Sequence, residues 1–248
     1  IVVHGVDTDN SPYDCGSYAS STTYVTGMAV VKTCETLRKK ICERGAEYLG
    51  CSPDDVEFDG EKVVNLKTKE EITRKEIGNK VMCSSNAPLS ATEAFSSPVS
   101  PPPFMVGIAE VEIDKETGVV EPIDYAAVVD CGTVVNPNLA RVQTEGGIAQ
   151  GIGMALYEDI IYSEKGKNYS NSFMQYKIPS RLDVGEIRVE FESSYEPTGP
   201  FGAKSIGEIV INTPSPAISN AVQNAVGVIV RELPITAEKV YKGMAEKE

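Results

Sequence analysis

A glutamate closes the glycine-rich turn Gly199-Pro200-Phe201-Gly202-Ala203-Lys204-Ser205-Ile206-Gly207-Glu208, and an apolar run follows at once. Glycine serves where a backbone takes φ > 0 or approaches another group closely. A carboxylate on such a turn is presented to a site; it accepts protons, and burial makes it a better base. Taken alone, the turn reads better as a tight loop ending in a solvated acid. Two further segments of the same small, polar, glycine-rich character change that reading. They are Gly16-Ser17-Tyr18-Ala19-Ser20-Ser21-Thr22-Thr23 and Gln143-Thr144-Glu145-Gly146-Gly147-Ile148-Ala149-Gln150-Gly151-Ile152-Gly153. Gln143 offers two amide donors and one acceptor, which suits the edge of a heterocycle. Gln150, seven residues on, shares its helical face and reads equally as a supporting contact or as a polar surface satisfied by water. Ser20 and Thr22 stand at a helix start, where hydroxyls and unpaired N–H groups cap the helix, bind an anion, or do both.

In order and wording the three segments resemble the molybdopterin-binding subunit of the xanthine dehydrogenase and aldehyde oxidase family. The likeness runs from Ile1-Val2-Val3-His4-Gly5-Val6-Asp7-Thr8-Asp9 through Val129-Asp130-Cys131-Gly132-Thr133-Val134-Val135-Asn136-Pro137 to the helix after Glu208. It is a likeness to the C-terminal part only. The family's earlier half, with another glycine-phenylalanine loop and an earlier glutamine-containing loop, is absent from this sequence.

The resemblance implies a molybdenum hydroxylase that oxidises an N-heterocycle or an aldehyde at carbon, with water as the oxygen source. It assigns Glu208 as the base. It places Gln143, Ser20, Thr22 and Ala203 against the molybdopterin, and Tyr18 and Ala19 toward metal and substrate. It implies no protein ligand to the metal, because the pterin dithiolene holds it; Cys131 and His4 are then structural. Many relatives carry Arg where this chain has Ser21, which changes the local charge beside the cofactor. The resemblance also implies partners: a larger molybdopterin-binding chain, an iron–sulfur subunit carrying 2Fe-2S and a flavin subunit carrying FAD. Nicotinate dehydrogenase is a relative in which the subunit is divided this way, and a fragment of a longer chain would read the same. The alternative is a non-catalytic subunit of the same fold that serves assembly or cofactor insertion.

Composition narrows the classes. The 248 residues carry a net charge of −13, with one His and no Trp. That charge argues against a nucleic-acid partner, whose phosphates need clustered Lys and Arg, and against an anionic membrane surface. One imidazole cannot build a His-rich zinc site. No apolar run approaches a membrane span, and no signal peptide opens the chain. The start at Ile1 without Met suggests a processed or partial product. The six cysteines form no C-x-x-C pair, so reduced, structural thiols in a cytoplasm are expected, with Cys15 abutting Gly16 as the one to watch.

The elements that must carry these segments read as an α+β arrangement of mixed sheets and long packed helices. The expected order is a strand over 1–6, a helix from about Ser20 to Tyr48 ended by Gly50, and a hairpin over 56–64 turning at Asp59-Gly60. On that helix Val30, Cys34, Leu37, Ile41 and Tyr48 form the expected apolar stripe. A short helix should open within 67–77, followed by an irregular connection from Ser84 to Pro103. A second hairpin spans 106–129, a glycine-bearing helix Leu139 to Tyr157, and a strand Arg188 to Phe191. The glycines of that helix cost roughly 1 kcal/mol each against Ala, so something is expected to pack on its backbone. A last helix starts near Pro214 or Pro216, capped by Thr213 or Ser215, with Ile218, Val222, Ala225, Val226 and Ile229 inward. Residues 1–248 read as one C-terminal molybdopterin-binding region, with two subdomains meeting near 84–105.

Overall fold

The computed structural model describes residues 1–5, 7–84 and 87–246. The architecture is α+β, and the chain divides into two compact units. One comprises Ile1–Gly16 with Val25–Pro98, the other Ser17–Tyr24 with Val99–Glu248.

The first unit holds most of helix α1 (Thr22–Leu49), the antiparallel sheet β1 (Val56–Phe58), β2 (Lys62–Asn65) and β3 (Glu71–Thr73), and helix α2 (Arg74–Met82). Gly50, at φ +65°, ends α1. Asp59 accepts the backbone N–H groups of Glu61 and Lys62, which closes the first hairpin around Gly60. A core of Val63, Ile72, Ile77 and Val81 lies beneath α1. Of the expected α1 stripe, Ile41 and Tyr48 pack against this core and Leu37 is half-buried, whereas Val30 and Cys34 are exposed; Gly45 and Ala46 are buried. A Cβ on Gly45 would come within 2.8 Å of Val63, so this small residue lets the helix approach the sheet closely. The short helix starts later than expected, at Arg74, where Thr73 and Glu76 form a reciprocal capping box; Glu71–Thr73 before it is strand. Residues 1–5 form no strand and are exposed, since no ladder partner reaches them; Val6 lies outside the described residues, as do Ser85 and Asn86 of the irregular connection.

The second unit is built on a three-stranded sheet. Strand β4 (Phe104–Ile113) pairs antiparallel with β5 (Val120–Asp130), and β6 (Glu186–Phe191) joins the other side of β5 in parallel. Helices α3 (Pro137–Leu156) and α5 (Pro214–Val226) cover one face, over a core of Tyr125, Ala127, Ile148, Ile152, Ile218 and Val222. The glycines of α3 serve close packing. A Cβ on Gly147 would stand 2.2 Å from Val210 of the short helix α4 (Ile209–Asn212), and one on Gly151 would stand 2.6 Å from Pro214. The last helix differs from expectation. Gly227, at φ +73°, stops α5 at Val226, so Ile229 lies beyond the helix and is exposed; Ala225, within α5, is exposed too. Thr213 makes no cap bond; its hydroxyl accepts from Tyr125 at 2.8 Å instead. Helices α4 and α6 (Ala237–Ala245) are additional elements. Among the described residues no helix is long and apolar enough to cross a membrane.

Candidate cofactor-facing active site

All three glycine-rich segments contribute to the second unit, and their ends converge there. The Glu208 segment is held first by backbone. Gly202 accepts the N–H of Thr133 at 2.8 Å, Gly132 and Ala203 form an antiparallel bridge, and Lys204 N–H donates to Cys131 at 2.8 Å. The turn is so close to the end of β5 that a Cβ on Gly132 would lie 2.2 Å from the Gly202 carbonyl.

A buried ion pair holds it next. Lys204, only 7% exposed, donates to Asp130 at 2.8 Å and to the Pro102 carbonyl at 3.1 Å, beneath the ring of Phe104. Asp130 also accepts from the Ser194 hydroxyl and the Gly132 N–H. Burial would push the Asp130 carboxyl up, but the hydrogen bonds from Lys204, Ser194 and Gly132 outweigh it and hold it below the usual aspartate range.

Beyond this clamp the chain emerges. Glu208 is exposed and sits immediately before α4, whose Val210 is buried against the glycine face of α3. The Ser20 hydroxyl donates to Glu208 Oε2 at 3.1 Å across 188 positions of sequence. Gly207 stands between the segments: a Cβ there would lie 2.8 Å from Ser20 Oγ and 3.8 Å from Gln143 Nε2. Ser20, Gln143, Gly207 and Glu208 therefore form one polar cluster.

The other expected site residues fall as follows. Thr22 is exposed at the first turn of α1, two positions from Ser20. Ala203 is buried, so it presents backbone and a methyl group and no polar side chain. Tyr18 is 76% exposed, and Ala19 beside it is exposed too. Ala19 and Ser20 both adopt left-handed backbone, φ 49° and 54°, as does Phe201 at 52°. Such conformations in residues with a Cβ carry strain and are enriched at ligand sites. Gln150 is exposed on α3. Cys131 is buried; burial, and then Asp130, push its thiol up, so it keeps its proton. Cys15 and His4 are exposed. The Lys204–Asp130 clamp has no signal in the local sequence, because its partners are 74 positions apart.

The cluster offers hydroxyls from Ser20 and Thr22, a carboxamide from Gln143, small residues and one carboxylate. That donor set fits the hydrogen-bonding edge of a pterin. It does not fit a protein-ligated metal: among the described residues no group of three or more His, Cys, Asp or Glu is disposed to hold one.

The sequence profile of the molybdopterin cofactor-binding domain matches residues 1–185, stopping short of the Glu208 segment. The probable hypoxanthine oxidase XdhD of Escherichia coli K12 is 36% identical over 243 residues, covering 96% of this chain and 25% of that protein. The 6-hydroxypseudooxynicotine dehydrogenase complex subunit gamma of Paenarthrobacter nicotinovorans is 31% identical, over 97% of this chain and 31% of its own length. Among solved structures, quinoline 2-oxidoreductase from Pseudomonas putida 86 superposes with a TM-score of 0.83 at 26% identity, over 96% of this chain and 32% of that one. The chain thus spans a quarter to a third of the length of these relatives. It belongs to the molybdopterin cofactor-binding domain family, as a segment of a molybdopterin-binding subunit of the xanthine dehydrogenase type.

Proposed function

We propose that this chain is the base-bearing, C-terminal part of the molybdopterin-binding subunit of a cytoplasmic molybdenum hydroxylase. The reaction class joins a substrate C–H and water to give C–OH, two protons and two electrons. The cofactor, when bound, supplies the oxygen-transfer and two-electron chemistry. Glu208 supplies the base: its carboxylate takes up the proton released as the new C–O bond forms. Ser20 orients that carboxylate through the 3.1 Å hydrogen bond to Oε2, leaving Oε1 for the proton. Gln143, Ser20 and Thr22 hold the pterin edge with amide and hydroxyl donors, and the Ala203 backbone lines it. Tyr18 and Ala19 face the substrate. The electrons leave to 2Fe-2S and FAD on other subunits. N-heterocycles or aldehydes are the substrate class; hypoxanthine and quinoline, named in two relatives, are both N-heterocycles. The remaining cofactor contacts come from a larger molybdopterin-binding chain.

The observation that carries this reading is the convergence of Ser20, Gln143 and Glu208, from three distant glycine-rich segments, on one exposed polar cluster. Its test is Glu208→Gln in the assembled complex. The amide is nearly isosteric, so fold and metal content stay at wild-type levels. A positioned base contributes on the order of 10²–10⁴-fold, and reduction of the metal by substrate should slow by that factor. Reoxidation should not change. Wild-type reduction kinetics in this variant would remove Glu208 from the role.

A non-catalytic assembly or insertion subunit is the second reading. It predicts transient cofactor contact, and so no stable loading to lose. Replacing Ser20, Thr22 and Gln143 together by Ala separates the two. Each lost hydrogen bond costs on the order of 1 kcal/mol, so cofactor retained after gel filtration should fall well below stoichiometric. Full retention in the triple variant would count against these contacts.

A further inference from the structure

The sheet of the second unit is covered on one face only. Along β4, Met105, Ala109, Val111 and Ile113 turn toward the helix-covered core, while the alternate positions turn out. Residues directly opposite one another on paired strands share a face. The register sets Val106 opposite Val128 and Ile108 opposite Ala126. Phe104 is 61% exposed, Val106 66% and Ile108 67%, and Val128 is exposed as well. A shallow groove runs over Val106, Ile108 and Val128, bounded by Arg188 and Glu190 of β6 and by Arg141 of α3. A half-exposed sheet ordinarily alternates apolar inside with polar outside. Here the outer side is apolar at its centre, and β-branched or aromatic there, whereas Glu110, Glu186 and Glu190 rim it. An apolar centre inside a charged rim is the composition of a contact surface.

We propose that this bare face of β4 and β5 is the docking surface for the remaining two thirds to three quarters of the molybdopterin-binding subunit, an inference that rests on the function proposed above. Two observations select that occupant over a second copy of the chain. The relatives carry, in one polypeptide, this segment together with two to three times as much chain again, the segment being 25% to 32% of their length. The chain itself has a net charge of −13, and both arginines at the rim are already paired, Arg188 to Asp124 and Arg141 to Glu145, which leaves Glu110, Glu186 and Glu190 to set its charge. Two copies face to face would oppose like-charged rims, which costs affinity and slows encounter. The surface fits a partner with apolar side chains inside a basic border.

Because Val106 points outward, replacing it does not disturb the core. A photo-cross-linking residue, Val106→p-benzoyl-phenylalanine, is placed in the native assembly purified from its host, and the adduct is located by peptide mass spectrometry. Molybdenum is measured in the same preparation. The expected adduct joins position 106 to a segment of the molybdopterin-binding subunit that this chain lacks, whether that segment is a separate polypeptide or continuous with this one. The double variant Val106→Lys, Ile108→Lys should then lower bound molybdenum at least tenfold while its circular dichroism matches wild type. An adduct between two copies of this chain, or none, in a preparation holding stoichiometric molybdenum overturns the docking face and leaves the function standing. A preparation with neither molybdenum nor such a segment overturns both.

Discussion

The two loops that meet at Glu208 are held in opposite ways. Residues 199–208 are anchored at nearly every step: a backbone bridge to Gly132, N–H donors from Thr133 and Lys204, and a buried ion pair to Asp130. Residues 17–21 are exposed or half-buried and include two left-handed residues with side chains, Ala19 and Ser20. The contacts that hold this loop are a tight turn, with Ser21 N–H and hydroxyl both donating to the Tyr18 carbonyl, and the Ser20–Glu208 bond. Glu208, the proposed base, is thus carried on the rigid side and the loop proposed to face the cofactor on the soft side. Precise placement matters most for a group that moves protons, because a small misplacement costs rate. A loop that closes over a ligand is drawn from the less stable parts of a fold.

The largest structural effect should come from breaking the clamp. Lys204→Met leaves Asp130 buried with Ser194 and Gly132 as its remaining donors. Removing one partner of a buried pair costs about 3–5 kcal/mol, and the two surviving donors put this case near the lower end. The urea midpoint should fall accordingly, and Lys204→Arg, which keeps the charge, should recover part of the loss. A Lys204→Met variant with an unchanged midpoint would show that the backbone bridge alone holds the turn.

The clamp also has a pH signature of intermediate size. The Asp130 pKa is lower folded than unfolded, so its stabilisation is complete above the unfolded value, about 3.9. It is lost as pH falls through the folded value. Other carboxylates, such as Asp124 and Asp183, are lowered too, so acid destabilises the whole unit. The specific readout is the difference between wild type and Asp130→Asn. It should be constant near neutrality and shrink below about pH 4. A difference that does not depend on pH would mean the pair acts through packing, not charge.

These contrasts mark where sequence was legible. The long helix, the hairpin at Asp59-Gly60, the β4–β5 hairpin and the packed glycines of α3 all carry local signatures of period, turn chemistry or composition, and the structure contains them. Helix α6 was not anticipated, although Thr236 caps it through the Lys239 N–H and Val240 is its buried apolar residue. Strand β3 was not either, because three residues in a charged stretch show no period. The α1 stripe was legible in its C-terminal half, where Ile41 and Tyr48 pack on the core, but not at Val30 and Cys34, which are exposed, and Gly45 and Ala46, buried beside the sheet, carry no apolar signal. The site's polar residues stood out by type, whereas the Lys204–Asp130 pair that fixes the turn is a long-range contact that no spacing announces.

The smallest effect tests the softness of residues 17–21 directly. Left-handed backbone costs an L-residue roughly 1–2 kcal/mol, while Gly enters it freely but loses more entropy on folding, about 0.4–1 kcal/mol. Ala19→Gly at φ 49° should therefore stabilise the chain by about 1 kcal/mol or less, read as a small rise in the urea midpoint. Phe201→Gly, at φ 52° on the clamped turn, relieves the same strain. Its ring is exposed, so little packing is lost with it. The two gains should match if strain is a property of each backbone alone. They should differ if the clamp matters: the anchored turn keeps its geometry and shows the full gain. The soft loop spreads into other conformations once Gly permits them, so its hydrogen exchange quickens and part of the gain disappears. Equal gains with equal exchange would mean that the loops are equally rigid, and the division between an anchored turn and a soft loop would fall.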